Sequence, residues 1–101
     1  MNQISRAYEL TGRAMRSLAS AYDSVERLTH ALHEISLLPR DELPRDVQEN
    51  IDKISGMIDQ DQTGSYKQRL DSMSSDLRQE LCTAIMDLNS LVTGLWYKAE
   101  D

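Results

Sequence analysis

The sequence predicts an all-α fold: an elongated helical bundle of two long helices and one shorter helix, or four helices if the chain breaks near Ser72–Asp76. Three observations carry that expectation. Apolar residues recur at helical spacing through most of the chain. Four Tyr, one Trp and no Phe leave the core to Leu, Ile, Met and Ala, which suits helices and gives little support to a sheet. Four Gly and two Pro leave little material for turns. At 101 residues the chain, 1–101, makes one helical domain with a single core.

The stretch from Ile4 to Leu38 reads as one amphipathic helix over residues 3–38. Ile4, Thr11, Leu18, Val25 and Leu32 fall seven apart, and Ala7, Ala14, Ala21, Leu28 and Ile35 form a second row beside them. Tyr8, Met15 and Tyr22 flank that row, giving the broad stripe of a globular bundle. Gly12 interrupts it at a cost of about 1 kcal/mol, which a long helix tolerates. The small side chains of the Ala row predict a close helix contact along that half. Glu9 with Arg13, and Asp23 with Arg27, place an acid four residues before a base on the exposed side.

Leu38-Pro-Arg-Asp-Glu is followed by Leu43-Pro-Arg-Asp-Val, a tandem repeat too short for a solenoid. Pro39 ends the first helix and Pro44 suits the start of the next, so residues 39–44 read as a connector. Val47, Ile51, Ile54 and Ile58 mark a helix over 45–59, with Asp46 and Glu49 at capping-box spacing. Residues 60–64 form a turn. Ser65 and Gln68 open a helical segment over 65–98 with Leu70, Met73, Leu77, Leu81, Ala84, Ile85, Leu88, Leu91, Val92 and Leu95 on its apolar side. Ser72 to Asp76 is a weak run for a helix interior, because Ser and Asp compete for backbone hydrogen bonds. Asp76 with Gln79 offers a fresh cap there.

Charge is unevenly spread. Up to Leu38, four Arg balance one Asp and three Glu; from Pro39 onward, seven Lys or Arg face thirteen Asp or Glu, so the whole net charge of −6 lies there. Such a balance disfavours direct binding to nucleic acid or to an anionic membrane surface. No apolar run approaches the ~20 residues that span a bilayer, and no basic-then-apolar leader opens the chain. Cys82 stands alone, so no internal disulfide forms. Together these point to the cytoplasm of a bacterium, a virus-infected cell or a host.

No constellation in the sequence supports catalysis or a cofactor. Glu26, His30 and His33 share a helical face but leave a metal shell incomplete and lie outside the apolar stripe. Cys82 lacks a base placed by any spacing argument and reads as a half-buried or exposed packing residue. Arg6, Arg13, Arg16 and Arg27 recur along one edge, yet two have acidic partners at helical spacing, so a solvated face is expected. Asp59, Asp61 and Gly64 do not have the ligand spacing of a calcium loop.

The function expected is therefore non-catalytic: a protein–protein interaction module that acts by stoichiometric binding as an adaptor, chaperone subunit or inhibitor. Tyr8, Met15, Tyr22, Trp96 and Tyr97 are the candidate contact residues, since aromatics and Met are enriched at interfaces. The alternative is an acidic inhibitor of the kind phages use against nucleic-acid-processing or defence complexes, with Asp52, Asp59 and Asp61 occupying a basic groove. A homodimer is expected from helix lengths. If the first helix is ~52 Å long and the second returns only ~22 Å, the third overshoots, leaving Leu88 to Trp96 uncovered at one end and Ile4 to Met15 at the other. A sharp break near Ser72–Asp76 would fold the last helix back instead.

Overall fold

A computed structural model of the chain describes residues 3–18, 25–58 and 66–100, with Ala99 and Glu100 described by backbone alone. Five α-helices and one 3₁₀ turn make up these residues, with no strand among them: α1 (Gln3–Leu18), α2 (Val25–Ser36), the turn Arg40–Glu42, α3 (Arg45–Ile58), α4 (Tyr66–Asp71) and α5 (Ser75–Glu100). The all-α class holds. None of the described helices is long and apolar enough to cross a membrane.

The first expected helix is two. α1 ends at Leu18, α2 begins at Val25, and the two pack side by side, which one straight rod cannot do. Residues 19–24, with Ala21, Tyr22 and Asp23, lie outside the described residues. The apolar pattern did not betray the interruption for a numerical reason. α1 buries Ala7, Leu10, Thr11 and Ala14, and α2 buries Leu28, Ala31, Leu32 and Ile35, each 21 residues later, or three whole heptads. Folding back lets the two stripes bury each other, where a single rod would leave both facing solvent. Ala7 and Ala14 are fully buried, as their place in the small-residue row predicts.

The connector is anchored rather than loose. Leu38 and Leu43, the first residue of each repeat copy, are both buried. Arg40 donates Nε and Nη2 to the two carboxylate oxygens of Asp52 on α3, at 2.7 and 2.6 Å. Gln48 Nε2 donates to the carbonyls of Arg40 and Leu43, each at 3.0 Å. α3 starts at Arg45, with the Gln48 amide donating to the Pro44 carbonyl at 3.0 Å, so Asp46 sits inside the first turn instead of capping it. Arg45 and Glu49 pair at 3.6 Å across that turn.

The break near Ser72–Asp76 is real. α4 closes at Asp71 and α5 opens at Ser75, capped by Ser74, whose Oγ accepts the Leu77 amide at 3.1 Å. Asp76, expected to be the cap, falls in the first turn of α5. Arg78 reaches back across the corner, its Nη1 donating to the carbonyls of Leu70 at 3.1 Å and Met73 at 2.9 Å. The Leu70 carbonyl also accepts the Met73 amide at 3.1 Å, so the guanidinium adds a second donor there and supplies one to the Met73 carbonyl in the corner beyond α4.

α5 is the spine of the molecule. Its 26 residues rise ~39 Å, close to the longest dimension in extents of 43 × 27 × 19 Å. Tyr8 stacks on Trp96, and Asn89 bonds Thr11, so α1 runs antiparallel along the C-terminal half of α5. α3 packs against α5 as well, with Lys53 and Met57 beside Asp76 to Ala84 in its N-terminal half, while α2 packs on α1 and α4. The overshoot expected from three rods does not arise. Leu88 and Val92 are fully buried, and Ile4, Tyr8 and Met15 pack against the core.

Candidate interaction groove

The predicted contact residues are scattered by the fold. Tyr8 and Trp96, from opposite ends of the chain, lie face to face with ring centroids 5.0 Å apart and planes 7° from parallel. Each covers the other, which closes the α1–α5 pair at its end. Tyr97, the next residue, is 61% exposed. Met15 is half-buried against the core. Asp52 is engaged by Arg40, whose guanidinium holds its carboxyl below the ordinary Asp value; the same contact raises the Arg40 pKa. Tyr22, Asp59 and Asp61 lie outside the described residues.

Other sequence candidates have clear places. His30 and His33 are exposed, and among the described residues no three of His, Cys, Asp and Glu converge as a metal site would need. Cys82 is buried in the core, 4% exposed, deeper than its sequence position suggests. Arg6 and Arg13 both lean on Glu9, at 4.0 and 2.6 Å. Arg16 lines a cleft of about 380 Å³ with Tyr8, Gly12, Asn89 and Thr93.

The feature that sequence reading missed is an open groove of about 640 Å³ between α3 and α5. Lys53 and Met57 come from α3; Asp76, Gln79, Glu80, Thr83 and Ala84 come from α5. Asp76, Glu80 and Thr83 fall on one helical face, spaced four and three apart. Met57 is half-buried and Ala84 buried, so the floor is apolar. The rim carries two carboxylates on one side and an ammonium on the other. Further along α5, against α1, the smaller cleft beside Arg16 remains. Such a site can take an apolar side chain on its floor while its rim orients charged neighbours.

Individually these residues carried no signal of a shared site: Asp76 and Gln79 read as a helix cap and Ala84 as part of an apolar stripe. Glu80 was one of the thirteen acids after Pro39, and Met57 sat one residue before the end of an apolar row. Only the pairing of α3 with α5 assembles them.

The family model described as GlnD PII-uridylyltransferase matches residues 1–86, a span that covers the four shorter helices and the groove half of α5. No curated protein and no solved structure matches the chain.

Proposed function

The chain belongs to the GlnD PII-uridylyltransferase family, and from that membership we propose that it is a non-catalytic adaptor, a helical module that holds the PII-type acceptor protein during uridylyl transfer. Transfer to a protein requires the acceptor to be held in register with the nucleotide, and that positioning is a separate task from the chemistry. The single observation that carries the reading is the α3–α5 groove, with its apolar floor of Met57 and Ala84 and its rim of Lys53, Asp76 and Glu80. A polypeptide segment with an apolar residue and flanking charges of both signs complements it. A nucleoside triphosphate would meet Asp76 and Glu80 on a chain of net charge −6, which repels it. The module works in the cytoplasm, where a lone buried thiol such as Cys82 stays reduced.

The test uses the purified chain, a PII-type protein, and labelled UTP with Mg²⁺. Calorimetry should show saturable, one-to-one binding of the PII-type protein, weakened at least tenfold by Lys53→Glu combined with Glu80→Lys. Circular dichroism should show both proteins equally helical. No label should reach the acceptor from the chain alone. Label transfer by the chain alone would overturn the non-catalytic reading, and an absence of binding would overturn the acceptor-holding one.

A further inference from the structure

The solvent face of α5 carries a pattern that the groove does not use. Among the described residues three large apolar side chains stand exposed, and two of them, Met86 and Tyr97, lie on this helix at 40% and 61% exposure. They are eleven residues apart, within about 20° of three full turns, so they share a face with ~16 Å between them. Ser90 and Thr93 fill the face between them, at spacings of four, three and four, which is a heptad seam. Leu81, Leu88 and Leu95 point the other way, into the core or against it.

Each exposed apolar residue is followed by a charge, and the two charges are opposite: Asp87 after Met86, Lys98 after Tyr97. Both are exposed, and neither has an ion-pair partner within 4.0 Å among the described residues. Gly94, on the same side as Asp87, has open space where a Cβ would stand.

From this charge complementarity we propose that the solvent face of α5 binds a second copy of the chain, antiparallel, about a two-fold axis between residues 91 and 92. In that register Met86 meets the partner's Tyr97, a sulfur–aromatic contact. Ser90 meets the partner's Thr93, hydroxyl to hydroxyl, and Asp87 comes within reach of the partner's Lys98. The two-fold repeats every contact, so Asp87 and Lys98 of the two chains form two ion pairs across the axis. Gly94 lets the second helix approach on the side where those pairs form. The seam is about three turns long, so the interface is small and its affinity lies in the micromolar range. It lies beyond α3, leaving the groove of the proposed adaptor open, and it stands independently of that reading.

Sedimentation equilibrium on the full chain tests it. The weight-average mass should climb from the 11.5 kDa of one chain toward twice that value as concentration rises through the micromolar range. Asp87→Lys and Lys98→Asp should each sediment as single chains, because like charges then face each other across the axis. An equimolar mixture of the two variants should dimerise again, since one is basic and the other acidic at both positions. Circular dichroism should show both variants folded, as neither residue touches the core. A wild-type mass that stays at one chain, single variants that still dimerise, or a mixture that stays monomeric would each overturn the proposal. Binding of a PII-type protein by these variants should match wild type, which separates this result from failure of the adaptor reading.

Discussion

The two halves of α5 meet their neighbours differently. Along the C-terminal half, α1 is tied to α5 on either side of the smaller Arg16 cleft: Tyr8 stacks on Trp96, and a buried polar link joins the helices. In that link Thr11 Oγ1 donates to the Ala7 carbonyl at 2.9 Å and accepts from Asn89 Nδ2 at 3.1 Å, so the buried hydroxyl is fully used. Along the N-terminal half, α3 leaves the groove open between Met57 and Glu80. Packing that is closed and satisfied belongs to stability. Packing that stops short, with charges at its rim, is what a partner can use.

That contrast predicts where substitutions hurt. The largest effect falls in the closed half: Leu88 is fully buried there, and Leu88→Ala should cost about 2–5 kcal/mol. Thr83→Ala, one and a half turns away on the groove side, should stay within about 0.5 kcal/mol. Urea melts of the two variants side by side would break the comparison if their midpoints moved equally.

A smaller effect tests the polar link. Asn89→Ala removes the donor to Thr11 while leaving its bond to the Ala7 carbonyl intact, so a loss of about 1 kcal/mol is expected. Because this contact sets the register of α1 on α5, the Tyr8–Trp96 stack should loosen with it. Trp96 fluorescence, the single Trp signal of the chain, should shift toward that of a more exposed indole. Unchanged fluorescence would show that the stack holds its register alone.

The smallest effect lies at the connector, away from both halves. Arg40 keeps the Asp52 carboxyl below its ordinary value, so the folded state binds that proton less readily than the unfolded chain does. The stabilisation is present above the ordinary Asp pKa of about 4. It is lost as the pH falls through the lowered folded value. Asp52→Asn should therefore be slightly less stable than wild type at neutral pH, and the gap should close in acid. Paired urea melts at the two pH values measure it; a gap that widened in acid would contradict the assignment. Both partners are solvent-exposed, which keeps the effect small.

The groove and the aromatic stack were legible to different degrees. Tyr8 and Trp96 stood out as residue types, but nothing local joined them, since 88 positions separate them in the chain. Of the groove residues, Lys53, Met57 and Glu80 did not stand out at all, because a Lys, a Met or a Glu on a helix surface is ordinary until a second helix arrives opposite. Both sites exist only between elements, so no window along one helix contains them.

Composition and periodicity alone determined the all-α class, the apolar side of each helix and the weak point before α5, because these depend on local backbone preference and on which side chains avoid water. The Ser72–Asp76 run showed its break because Ser and Asp compete for backbone bonds in place. Ser20, Asp23 and Ser24 are residues of the same kind, with Asp23 and Glu26 at capping-box spacing, but the heptad phase ran through them unchanged. Only the tertiary structure decided that α1 and α2 lie side by side, that α1 covers one half of α5, and that α3 leaves the other half open. The physical reason is that an apolar stripe records what must be covered and says nothing of what covers it: burial is non-directional, and the choice among partners is made by packing geometry.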